Sequence, residues 1–215
     1  LGLSNVTFIE GDFLDLAKNP AGIGEVDYVV AHGISAWVSK SVREGMWQLV
    51  TKVLKPGGIA YNSYNTYPFW YAATPFQHLV MQYNKNVPGA KAIELALQTM
   101  QVMLSANSPM FKMLPTLEHQ LNQMHKHNPA YVVQEYNNHT WEPKYVAHML
   151  DEVQQYKLDY AGTANTLQVM KASYPQAAYE QIQAESNLKL RETVRDFLIC
   201  QSFRRDLYGK GPQPL

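Results

Sequence analysis

The order of patterns between Val26 and Tyr64 limits the possible folds of this chain more than any other feature. "VDYVVAHG" carries a β-rich apolar run from Val26 to Ala31, stopped by Gly33. "SVREGMWQLVTKVLKPGG" follows, with Val42, Met46, Leu49, Val50, Val53 and Leu54 at helical spacing. Lys52 and Lys55 suit a helix C-terminus, and Pro56-Gly57-Gly58 stops it. "IAYNSY" then reads as another strand. Strand, helix, strand at this spacing predicts parallel strands joined by a crossover. Upstream, "NVTFIEGD" predicts a strand at Val6–Ile9 stopped by Gly11-Asp12, and "FLDLAKNPAGIG" a short helical or irregular link.

From about residue 69 the texture changes to Met, Gln, Asn and aromatics. "AIELALQTMQVML" puts Ile93, Leu97, Met100 and Leu104 on one face, and "TLEHQLNQM" does the same for Leu117, Leu121 and Met124. "SPMFKML" opens with a Ser N-cap and a Pro at the first helical position. Helix patterning at 143–156, with Val146, Met149, Leu150, Val153 and Tyr156 inward, precedes a candidate strand at Leu158–Ala161. Residues 176–203 read as helical, and "FRRDLYGKG" as a last edge strand or a helix end. The expected division is an α/β core at 1–68, a helical cap or regulatory region at 69–139, and a return to the core at 140–215.

Composition narrows the function classes. Among 215 residues, 18 Lys and Arg balance 18 Asp and Glu, so no general electrostatic pull toward nucleic acid or an anionic membrane exists. One cysteine, Cys200, forbids an internal disulfide and suits a reducing compartment, so a cytoplasmic location is expected. No apolar run reaches the roughly 20 residues of a membrane span, and no signal peptide is visible. The first residue is Leu1, and the natural N-terminus is expected to lie upstream of it.

In open parallel α/β sheets, ligands bind outside the carboxyl ends of the strands. The residues just after each expected strand are Gly11, Asp12 and Phe13, then His32, Gly33, Ser35 and Trp37, then Tyr64, Asn65 and Tyr67. These sets should converge on one edge. Asp12 can accept from an exocyclic amine, Phe13 can flank a flat ring, and Gly33 permits close approach to the backbone.

"NVTFIEGDFLDL", "VDYVVAHGISAWVS" and "LVTKVLKPGGIAYNSYNTYP" resemble the second half of a class I S-adenosylmethionine-dependent methyltransferase. "HGISAWV", "SYNTYP" and "RETVRDFLICQSFRRDLY" are similar to the bacterial group carrying a methyltransferase regulatory domain. The resemblance implies an α/β fold: the C-terminal part of a Rossmann-like methyltransferase sheet with a mainly helical insertion or cap. It implies S-adenosylmethionine as cofactor, with Asp12, Phe13, His32 and Gly33 binding it. It implies His32, Tyr64 and Tyr67 as orienting or proton-accepting groups, and Trp37, Asn65 and Tyr67 as acceptor contacts. The expected partner is a methyl acceptor, either a protein side chain such as lysine or a small molecule; nucleic acid and membrane are not expected.

The departures are equally informative. The glycine-rich loop after the family's first strand and the ribose-binding acid after its second are not in this sequence, so a fragment of a longer enzyme, inactive alone, is expected. The Asn-Pro-Pro-aromatic motif of amino-group methylases of nucleic-acid bases is also missing. Plainer roles compete throughout: Asp12 as a turn residue, His32 as a hydrogen-bonded core histidine, and Tyr64, Asn65 and Tyr67 as an aromatic-packed turn. His125 and His127 lack the spacing of four that helical ligand pairs prefer, so no metal is expected. Arg191, Arg195, Arg204 and Arg205 read as a solvated face, and Cys200 as buried. The methionines read as core or cap packing. A non-catalytic regulatory or protein-binding module is the main alternative function. A dinucleotide-dependent oxidoreductase fits the "LKPGG" hinge poorly.

Overall fold

The computed structural model describes residues 2–87, 89–124 and 128–211. His125 and His127 lie outside them. Helix α1 (Phe13–Lys18) starts at Asp12, whose side chain accepts from the Leu14 amide, and leads by a short 3-10 turn to strand β1 (Val26–His32). The crossover is α2 (Lys40–Val53), capped by Ser39, and the chain turns extended at Leu54 to give β2 (Leu54–Asn65). β1 and β2 are parallel, with His32 opposite Ser63. A Cβ on Gly45 of α2 would lie 2.8 Å from the Leu14 side chain, so glycine there lets α1 press against α2.

Five helices then fold away from the sheet: α3 (Thr74–Asn84), α4 (Ala90–Ser105), α5 (Pro109–Met113), α6 (Pro115–Met124) and α7 (Pro129–Tyr136). Phe76, Val80, Ile93, Met100, Leu117 and Trp141 centre their own apolar cluster. Leu97, Leu104 and Met110 pack on its margin, whereas Met103 and Met113 are exposed.

Helix α8 (Val146–Gln154) buries Val146, Met149, Leu150 and Val153 against the sheet. β3 (Leu158–Thr163), α9 (Gln176–Ala184), α10 (Leu188–Leu198) and β4 (Phe203–Lys210) follow. The sheet order is β1-β2-β4-β3, with β4 antiparallel to both neighbours.

Four expectations are corrected. Val6–Ile9 pairs with no strand among the described residues, and Phe8 is 93% exposed; an extended run becomes a strand only when a neighbour takes its backbone hydrogen bonds. β4 is interior rather than at an edge. Arg204 is not solvated: its guanidinium donates to Asp206, Asp196, Glu192 and Tyr160, while Arg195 pairs with Glu192. These arginines are buried because three acids from α10 and β4 surround them. Cys200 is exposed and takes a positive φ of 48° in the turn after α10.

Candidate functional site

At the carboxyl end of β1 the chain turns at Gly33, whose φ of +65° favours glycine. The Gly33 amide donates to Ser63 Oγ at 2.9 Å. Ser63 Oγ lies 3.0 Å from His32 Nδ1 and, already accepting from Gly33, has its own proton to give. Ser63 Oγ can donate or accept a second bond, so it holds the imidazole ring in place in either tautomer. Tyr61 OH is 3.2 Å from the same Nδ1, and the exposed imidazole stacks on Tyr61 with Phe203 edge-on.

The loop after Gly33 is fixed from below. Arg43, 1% exposed, donates to the carbonyls of Ser35 and Val38 and pairs with Glu142 and Glu152. Ser35 donates to Asn62 Oδ1 at 2.9 Å. The Trp37 carbonyl accepts from Asn138 Nδ2 and Thr140 Oγ1, and the Trp37 ring packs against both the sheet core and the helical core.

Along the unpaired side of β1 runs an apolar groove of about 300 Å³. Phe13, Ala31 and Ile34 line its end nearest Gly33, and Val26, Tyr28 and Val30 continue it. Asp12 is exposed at the start of α1, with Oδ1 accepting from the Leu14 amide at 2.7 Å.

The end of β2 divides by strand alternation. Tyr64 points into the sheet core, is 0% exposed and donates to Asp206 at 2.8 Å. Burial, reinforced by the Asp206 charge, holds its phenol well above the ordinary range. Tyr64 is thereby removed from any surface that a ligand or a proton could reach. Asn65 donates to Glu135 Oε1 at 3.1 Å. Tyr67 is half-buried, its ring 4.9 Å from Tyr145 and 6.4 Å from Tyr71. Burial, then the neighbouring Tyr145, Glu142 and Tyr71, raise its phenol pKa.

Of the expected residues, His32 and Gly33 share one hydrogen-bonded group, Phe13 shares the groove with the residues flanking Gly33, and Asn65 and Tyr67 share the exit from β2. Ser63 and Tyr61 were missed, although their alternation with Asn65 signals a common face. Glu135 was missed too. Its signal is an acid at helical spacing from Val132 and Tyr136, which are 4% and 6% exposed. Among the described residues no group of three metal-ligating side chains exists, and no helix is long and apolar enough to cross a membrane.

The structure of PKMT2 from Rickettsia typhi superposes with a TM-score of 0.71 at 25% identity, covering 89% of this chain and 36% of that one. PKMT2 in complex with AdoHcy gives 0.74 at 24% identity, over 94% of this chain and 39% of that one. The α/β architecture, a four-stranded Rossmann-like sheet capped by helices, is thus that of the matching part of PKMT2.

Residues 128–210 match the family described as "Predicted methyltransferase regulatory domain". The match takes in α7, α8, β3, α9, α10 and β4, and leaves α3 to α6 outside. An uncharacterized protein of Synechocystis sp. is 32% identical over 98% of this chain, and one of Rickettsia prowazekii is 24% identical over 96%. The chain spans 42% and 37% of the lengths of these two relatives.

Proposed function

We propose that this chain is the acceptor-side part of an S-adenosylmethionine-dependent methyltransferase acting on a protein side chain or a small molecule. The observation that carries the reading is a PKMT2-like fold with His32 and Gly33 at the end of β1, Asn65 and Tyr67 at the exit from β2, and Phe13 in the groove beside β1. Bound there, the cofactor would supply a sulfonium methyl group open to in-line displacement. The residues present fit part of it. The apolar groove ending in Phe13 suits a flat ring, and the exposed Asp12 carboxylate suits the ring's amine. Nothing fills the space where a Cβ on Gly33 would stand, so a ligand can approach its backbone. The glycine-rich turn and ribose-binding acid belong, on this reading, to a longer form of the protein.

The chain's own work is positioning and exclusion of water. His32, its Nδ1 paired with Ser63 Oγ, is held at the end of β1 as an orienting or proton-accepting group. Asn65 and Tyr67 orient the acceptor at the exit from β2. An interaction made only in the transition state lowers kcat when it is lost and leaves cofactor binding alone. In a form extended upstream, Tyr67→Phe and Asn65→Ala are therefore expected to slow methyl transfer while S-adenosylmethionine affinity, from calorimetric titration, holds. Normal turnover in both variants would return these residues to a packed turn. The second reading, a non-catalytic regulatory or protein-binding module, has the match at residues 128–210 in its favour. Failure of the extended form to bind the cofactor would favour it.

A further inference from the structure

The loop between β1 and α2 is held from three directions. Its near end is clamped to β2, where Ser63 Oγ takes the Gly33 amide at 2.9 Å. The Trp37 amide then donates to the Ile34 carbonyl at 2.9 Å and closes a turn. The carbonyls beyond Ile34 are taken one after another. Arg43 Nη1 donates to Ser35 at 3.2 Å and to Val38 at 3.3 Å, and the Glu142 amide donates to Ala36 at 2.9 Å. Trp37 receives Asn138 Nδ2 at 2.9 Å and Thr140 Oγ1 at 2.6 Å. Arg43 is itself fixed by Glu142 and Glu152.

One donor satisfies a buried carbonyl. Trp37 has two, both of them side chains, 101 and 103 positions later in the chain. They sit in the stretch that follows α7, inside the residues matched to the regulatory-domain family. That stretch is tied to the helices in turn. Gln77 of α3 donates to the Asn138 carbonyl at 3.1 Å, and Trp141, buried in the helical cluster, meets Trp70 edge-on at 5.6 Å. Hydrogen bonds and packed rings thus run without a break from α3 to Trp37. At the other end of the loop, Gly33 has a positive φ, so its backbone has more paths open to it than any other residue's. A hold on Trp37 removes most of them.

We propose that Asn138 and Thr140 are positioning residues for the loop after β1: through the Trp37 carbonyl they set the backbone path from Gly33 to Val38 and make the arrangement of helices α3 to α7 felt at the turn a ligand would approach. The step from loop to ligand rests on the methyl-transfer reading; the hold on the loop does not.

The test is amide hydrogen exchange followed by NMR. The amides of Gly33, Trp37 and Glu142 read the loop, and those of β1 and β2 read the sheet. Thr140→Val removes the hydroxyl and keeps the shape. Asn138→Asp keeps an acceptor for the Thr140 amide and loses the donor to Trp37. Each is expected to speed exchange at the three loop amides about ten-fold and to leave the sheet unchanged, with Thr140→Ser close to the parent. An unchanged rate at Gly33 in either folded variant overturns the proposal, and so does a rise shared equally by β1 and β2. Where the variants fail to fold, the unaltered protein in low urea decides. There the three loop amides should open together and before the strands; separate opening overturns the proposal. In the upstream-extended form, Thr140→Val should weaken S-adenosylhomocysteine binding about five-fold and Thr140→Ser should restore it. Failure of the unaltered extended form to bind sinks the methyl-transfer reading and leaves the loop hold to the exchange data. Equal binding by the unaltered form and Thr140→Val sinks the positioning role alone.

Discussion

On one face of the sheet, Ala31, Ala60, Tyr64 and Tyr208 are 0–5% exposed beneath α2 and α8. On the other face, Tyr28 and Val30 of β1 are 75% and 68% exposed. The two faces come from the same strands, one residue out of phase. Parallel strand pairs in α/β proteins are ordinarily covered on both sides, which is why their strands read as continuous apolar runs. "VDYVVAH" has that run, yet Val29 and Ala31 pack into the sheet core while Tyr28 and Val30 stay exposed. The difference shows that a strand's sequence can be written for a layer its own neighbours do not supply. The open face and the groove beside it are where additional chain would gain most by packing.

The largest test of this contrast is Trp47→Ala. Trp47 is 1% exposed, donates to Glu152 at 3.1 Å and meets the Tyr208 ring edge-on at 5.8 Å. Its loss should cost about 3–5 kcal/mol in urea unfolding. A cost below about 1 kcal/mol would mean that the covered face is not the stable one.

Next comes pH, through Asp196 behind the same face. Arg191, Arg195 and Arg204 oppose Glu192, Asp196 and Asp206, but Asp196 Oδ2 accepts no hydrogen bond among the described residues. Burial, against the attraction of Arg204, pushes the Asp196 carboxyl from its ordinary 3.8 to about 7. A folded-state pKa above the unfolded one contributes stability that is fully present below about pH 4 and lost as pH rises through 7. The expected loss from this group over that window is on the order of 4 kcal/mol. Asp196→Asn should flatten it, and an identical pH profile in the variant would remove Asp196 as the source.

A smaller effect concerns the open side. In an upstream-extended form, Asp12→Ala should weaken S-adenosylmethionine binding by about 1–2 kcal/mol, the cost of leaving one buried polar partner unpaired. Titration of the variant with no change in affinity would confine Asp12 to capping α1. The smallest is Val30→Thr, expected within about 0.5 kcal/mol of the parent in the present chain. In the extended form it should cost more, because burying a hydroxyl is costly. Equal effects in both forms would show that nothing covers this face in either.

The crossover was legible because β1 shows a continuous β-rich apolar run and α2 a helical periodicity, and α8 because it shows the same helical periodicity. Val6–Ile9 was misread because β propensity describes a residue's fit to a sheet and is silent on whether a neighbouring strand is there. The interior place of β4 was hidden by composition: "FRRDLY" looks solvated, and only three acids brought from α10 and from β4 itself make its first arginine a core residue. The groups around Gly33 were half legible. His32 and Gly33 follow a strand end, whereas Ser63 came into view only through the register that sets it opposite His32. Glu135 was out of reach, since what singles it out is Asn65, seventy positions earlier.

The insertion of β4 between β2 and β3 also dictates timing. Tyr64 and its partner Asp206 are 142 positions apart, and β2 has no other partner on that side. A chain emerging from the ribosome therefore carries β2 with one edge bare while α3 to α10 and β3 are being made. Bare strand edges recruit other chains, and distant pairings close slowly. The Met-rich helices that follow β2 can fold on local contacts in the meantime. Nascent chains halted before β4 are expected to aggregate or to be held by chaperones, and those halted just beyond it to become protease-resistant.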